Sequence, residues 1–184
     1  MKFNGIVRWR TAGLLLAMMI IVGLPYIVTL SGQRDTVRAN AWVIHSNEVK
    51  ALTYRIAYVI HDSEAASYRL LAGDATDAVR QRAARAASET AELLPALHAM
   101  MRDSPRQQAL VSALESSVNG RIALMTQAQA RLGKGDAAGA RQSLRDGDDL
   151  FGMNARIGAI VANEDNLLAE RELVGDGQAT TIRV

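Results

Sequence analysis

The chain contains no cysteine, which excludes disulfides, thiolate chemistry and cysteine metal ligands and leaves the redox compartment open. Aromatic residues are scarce: two Phe, two Trp and four Tyr among 184 residues, with only three Pro. Sheet sandwiches need β-branched and aromatic faces, so a chain dominated by Ala, Leu and Arg predicts helices throughout. Neither sign of charge is in excess. Of 21 Lys and Arg, three (Lys2, Arg8 and Arg10) precede the first apolar run, leaving 18 basic residues against 19 acidic ones. That balance excludes a nucleic-acid surface. Also missing are a Gly-rich phosphate loop after a strand, a Ser or Cys nucleophile motif and His-Glu-x-x-His, so neither an enzyme nor a cofactor is expected.

What is present begins with "TAGLLLAMMIIVGLPYIVTLSGQ", residues 11–33, a stretch without charge. Its apolar centre, residues 12–30, matches the roughly 20 residues that cross a bilayer core at about 1.5 Å each. A cleavable signal peptide also starts with basic residues, but its apolar core spans about 7 to 15 residues and a small-x-small site follows it directly. Here Ala39-Asn40-Ala41 lies behind Arg34, Asp35 and Arg38. An uncleaved, single-pass anchor in the inner membrane is therefore expected, with Pro25 as a kink that lipid-embedded helices tolerate. The basic residues ahead of it place residues 1–10 in the cytoplasm and everything after residue 33 in the periplasm of a Gram-negative cell.

Beyond the span, hydrophobic period predicts an antiparallel, up-and-down four-helix bundle over residues 34–173 and a flexible tail over 174–184. Trp42, His45, Val49, Leu52, Ile56, Val59, Ser63, Ala66 and Leu70 step by three and four, the seam of a helix in a bundle or coiled coil. Gly73 then suits the left-handed position that ends a helix, and Asp74 is the expected cap of the next. Helix two repeats the rhythm in Val79, Ala83, Ala86, Thr90, Leu93, Leu97 and Met100. "RDSPRQQ" follows, with Ser104 as cap, Pro105 at the first helical position and Gln107 closing a capping box. Helix three carries Leu110, Leu114, Val118, Ile122, Met125 and Leu132, and ends at Gly133 and Gly135. Asp136 caps helix four, where Gly139, Gly147 and Gly152 invite a bend before Ile157, Ile160, Glu164, Leu167, Arg171 and Val174 restore the seam. Short connections make successive helices antiparallel and bring both Gly-Asp corners to the tip farthest from lipid.

Three short motifs resemble the third type of CHASE domain, an extracellular sensing module of bacterial kinases, cyclases and chemoreceptors. "LLAGD" (Leu70, Leu71, Gly73 and Asp74 within residues 70–74) is similar to that family's tip motif. "DSPRQ" resembles its second turn. "EDNLLAER" (Glu164, Leu167, Leu168 and Arg171) fits its E-x-x-L-L-x-x-R near the end of the last helix. Where the family often has Arg-Gly-aromatic, this chain has Ser67, Tyr68 and Arg69. The four-helix ligand-binding domain of chemoreceptors shares the order of elements and is the competing fold name. The resemblance implies a signal-input domain, and "ELVGDGQATTIRV" after Arg171 holds no second apolar span, so no output domain is expected in this chain. The alternative expectation is a stand-alone anchored protein that pairs with an intact receptor.

The polar residues divide into two groups. His45, His61 and His98 could suggest a metal, but His45 and His61 lie about 160° apart around one helix, so no metal site is expected. Asp62, Glu64 and Arg69, and the run Asp146, Asp148 and Asp149, are expected on solvated faces, since charged side chains are seldom buried. His45, Ser63, Glu164 and Arg171 interrupt the seam itself. They are the candidate register or switch residues, with Glu164 and Arg171 expected to pair across the bundle or with a second copy. Expected partners are the lipid bilayer and either a homodimer or a receptor. The residues name no small ligand and no ligand-binding position.

Overall fold

The computed structural model describes the backbone of residues 4–102, 104–150 and 152–181, and among these it leaves the side chains of residues 4–14, 24–36, 38, 148–150 and 172–181 undescribed. Among the described residues the chain is all-α, with five helices and no strand. Helix α1 is Asn4–Leu71, α2 Asp77–Met100, α3 Pro105–Gly133, α4 Ala137–Leu150 and α5 Met153–Thr181. The chain divides into two compact units, one of Met1–Val43 with Arg171–Val184 and one of Ile44–Glu170.

In the first unit, Trp42 and Arg171 meet, the guanidinium lying 3.6 Å from the centre of the indole ring. Of the expected span, side chains are described for residues 15–23 only, and Leu15, Leu16, Met18, Met19, Ile20, Ile21 and Val22 are exposed. The remainder of the span lies outside the described side chains. No helix among the described residues is long and apolar enough to cross a membrane.

The second unit is a helical bundle whose directions follow from its cross-helix contacts. His98 of α2 meets Glu115 of α3, and Gln129 of α3 donates to the carbonyl of Ala83. As one helix advances the other recedes, so the pair is antiparallel. His61 with Asn154 and Lys50 with Asp165 set α1 antiparallel to α5 in the same way. Glu64 with Arg121 and Ser67 with Gln129 set α1 and α3 side by side in the same direction. The core between them is aliphatic, built on Val49, Ile56, Ile60, Leu97, Leu114 and Ile160, each fully buried. Burying each such side chain favours the fold by about 1.5–3 kcal/mol.

The ends of α1 and α3 are the same motif. Gly73 has φ +94° and Gly135 φ +82°, conformations that a side chain disfavours. Around Gly73 the amide of Asp74 donates to the carbonyl of Arg69 and that of Gly73 to Leu70. Around Gly135 the amide of Asp136 donates to Arg131 and that of Gly135 to Leu132. This pair of bonds satisfies carbonyls that a helix end leaves open. A narrow gap at this end, lined by Leu70 and Leu71 on one side and Leu132 and Leu144 on the other, has no room for a water. Both Gly-Asp corners therefore share one end of the bundle, as the hydrophobic pattern predicts.

Four expectations need correction. Helix α2 starts from Thr76, not Asp74, because the Asp74 carboxylate is taken by Arg69. The capping box at Ser104 is not formed; the Gln107 side chain turns inward and donates to Glu164. The expected fourth helix is two helices, broken at Gly152, whose φ of +50° interrupts the ladder between α4 and α5. Backbone helix continues to Thr181, past Gly175 and Gly177, since a glycine costs a helix only about 1 kcal/mol and does not remove an amide donor. Asp136 does cap α4, accepting from the amide of Gly139 at 2.8 Å.

Candidate functional site

Two polar clusters are buried between helices, and they are the chemically distinctive part of the bundle. The first centres on Arg121 of α3, which is buried at 5% exposure. One terminal nitrogen donates to Glu64 Oε1 of α1 at 2.5 Å, and the other donates to the carbonyl of Gly147 near the end of α4. One side chain thus ties three helices together. Next to it, His61 Nδ1 stands 3.7 Å from Glu64 Oε2, and His61 Nε2 stands 3.4 Å from Asn154 Oδ1 at the start of α5. On the flank of α1, Asp62 pairs with Arg82, while Ser63 Oγ donates to the carbonyl of Arg82 at 2.8 Å. The hydrogen bond from Arg82 holds the Asp62 carboxyl below the usual carboxylate range, against a smaller opposing effect of burial.

The second cluster lies at the other end of the bundle. Glu164 of α5 is 1% exposed and accepts from Gln107 Nε2 of α3 at 2.9 Å. Its Oε2 has no hydrogen-bond partner among the described residues, and the same holds for Ser46 Oγ and Asn163 Nδ2. Ser46 lies more than one turn from the level of Asn163 and Glu164, since Lys50, one turn along from Ser46, pairs with Asp165.

Of the four candidate switch residues, Ser63 and Glu164 are buried in contacts between helices, His45 is half-buried, and Arg171 stacks on Trp42. Glu164 pairs across the bundle with the amide of Gln107, and Arg171 stacks on the indole of Trp42. Of the motif residues, Leu70 packs on Ala66, Val79 and Ala83, Leu71 packs on the main core, and Gly73 forms the turn. The Arg69 guanidinium beside Asp74 holds its carboxyl below the usual range, with the amide and hydroxyl of Thr76 adding to the effect. Leu167 and Leu168 are half-buried.

The burial of Glu64 corrects the expectation of a solvated face, and its partner Arg121 was not singled out in the sequence. Their signal was in the sequence for Arg121: Leu114, Val118, Arg121, Met125 and Ala128 step by four and three, so the arginine occupies a seam position on the buried face. Glu64 had no such signal, because it stands one residue beyond the seam position Ser63. Among the described residues, no group of three or more His, Cys, Asp or Glu is placed to hold a metal ion. What such buried pairs do is fix which helix faces which.

No protein-family model matches the chain, and neither a curated protein nor a solved structure is similar to it.

Proposed function

We propose that the chain is a membrane-anchored periplasmic signal-input domain, a single-pass inner-membrane protein whose four-helix bundle is of the CHASE type. The observation that supports this reading is α1. One helix, Asn4–Leu71, contains the charge-free stretch 11–33 and also supplies Val49, Ile56 and Ile60 to the bundle core. The lipid bilayer is its first partner. In this reading α4 and α5 together make the fourth helix of the up-and-down bundle, interrupted at Gly152.

Signal transfer in such a bundle is a shift of helices, because its helices are joined by short connections. The pairs Lys50–Asp165 and His61–Asn154 link α1 to α5 along the outside. The buried links between Glu64 and Arg121 and between Gln107 and Glu164 set their register. A stimulus at the bundle acts by favouring one register of α5 against α1 over another.

Alkaline extraction of membranes from expressing cells tests the anchor. The chain is expected in the membrane pellet, and Met18→Lys with Ile20→Lys is expected to move it to the supernatant, since each lysine in a span costs about 2.5–3.5 kcal/mol. Release of the unsubstituted chain by alkali would overturn the reading.

A further inference from the structure

Gly152 does something that the two corner glycines do not. Gly73 and Gly135 reverse the chain, whereas descending α3 from Arg131 through Arg121 to Gln107 meets Gly139, Gly147 and Glu164 in rising order, so α4 and α5 run in one direction. The break at Gly152 interrupts an arm without turning it. Its φ is +50° and a Cβ added there would meet nothing within 4 Å, so the glycine answers a backbone conformation and not a close approach.

The two halves of this arm are held differently. Arginines of α3 hold α4 near both of its ends: Arg131 donates to the carbonyl of Gly139 at 3.2 Å, and Arg121 donates to that of Gly147. The second is one of the last four carbonyls of α4, which lack a partner within the helix and favour a cation. Arg121 also binds Glu64, so α4 is fastened to α1 as well. Helix α5 has weaker ties. Its described links are the exposed contacts of Asp165 with Lys50 and of Asn154 with His61, and one bond from a neutral amide, Gln107, to Glu164. It also leaves Asn163 Nδ2 and Glu164 Oε2 buried without a hydrogen-bond partner, a state that no described side chain of α4 shares. Both groups work against the seat that α5 occupies, since a polar group buried unpaired carries the full cost of leaving water.

We propose that Gly152 is a hinge dividing the fourth arm into a fixed half, α4, and a movable half, α5, which has a second seat, tilted about Gly152, where Asn163 and Glu164 reach water. Hinges are a few residues at the ends of elements that absorb a change in φ and ψ. The motion is a tilt of one half, because the two arginine clamps on α4 block a lengthwise slide of the whole arm. Its purpose rests on the signal-input reading above: a stimulus that favours one seat moves α5 against α1 and leaves α4 in place.

The native chain has no cysteine, so pairs of spin labels can be placed in the full chain in lipid nanodiscs and their separations read by pulsed electron paramagnetic resonance. Ala91→Cys on α2 is the common reference, combined with Gln142→Cys on α4 or Ala162→Cys on α5, all three being exposed positions. One distance is expected between α2 and α4, and two between α2 and α5. Adding Asn163→Leu removes the unpaired amide and is expected to lower the second α2–α5 population about tenfold. Adding Gly152→Ala, which disfavours the positive φ of the present seat, is expected to raise it about fivefold. A single α2–α5 distance in all three chains would overturn the hinge. Two distances between α2 and α4 would overturn it too, because the clamped half would then move. Alkaline extraction reads the anchor separately: two α2–α5 distances in a chain that alkali releases keep the hinge without the membrane, and one distance in a pelleted chain keeps the membrane without the hinge.

Discussion

At the scale of single residues, Arg121 and Glu64 form an ion pair in which both side chains are almost wholly out of water, at 6% and 10% exposure. Their value lies in direction more than in net energy. A buried pair gains little over two apolar side chains of similar volume, whereas removing one member leaves a charge stranded. Arg121→Met alone is therefore expected to lower unfolding free energy by about 3–5 kcal/mol, and Glu64→Leu with Arg121→Met to recover most of that loss. Urea unfolding followed by circular dichroism measures both. Equal losses in the single and double variants would show that the pair does not act as a unit.

At the scale of elements, the helix count depends on glycine, and the faces depend on small hydroxyl residues. Gly73 at φ +94° closes α1, and Gly73→Ala is expected to cost about 1–2 kcal/mol, read as a lowered melting temperature with helix content unchanged. Helix α2 was largely legible: of the positions read from period, Val79, Ala83, Ala86, Thr90, Leu93 and Leu97 are buried and Met100 is half-buried, while the buried Leu94 and the start at Thr76 were not read. On α1 the period was right, and Val49, Ile56, Val59, Ser63 and Ala66 are buried as read, but the buried face extends further round the helix than the seam. Ser46, Thr53, Ile60 and Ser67 are buried, while His45, Leu52 and Leu70 are only half-buried. Hydroxyl side chains look polar in a sequence, yet inside a helix they bond backward to their own turn. Thr53 donates to Val49, Ser67 to Ser63, Thr90 to Ala86 and Ser117 to Ala113. A hydroxyl satisfied in this way packs as a small apolar group. The break at Gly152 was legible only as a bend, because its φ of +50° is set by packing and not by composition.

At the scale of the whole molecule, the all-helical architecture followed from the scarcity of aromatic residues and the abundance of Ala, Leu and Arg, and the shared end of the two Gly-Asp corners followed from connection length. The candidate site was less legible. Register residues announce themselves only as polar interruptions of a seam, and a partner for each has to be found in space: Glu164 found Gln107. The proposed function adds orientation, with the corners in the periplasm and the amino terminus in the cytoplasm. Ala75, exposed beside Gly73, reports that orientation in a chain that otherwise lacks thiols. Labelling Ala75→Cys in intact cells of a Gram-negative host with a maleimide that passes the outer membrane but not the inner one is the most direct measurement. Full labelling without permeabilising the inner membrane is the expected result, and labelling that appears only after the inner membrane is opened would contradict the exported, membrane-anchored bundle.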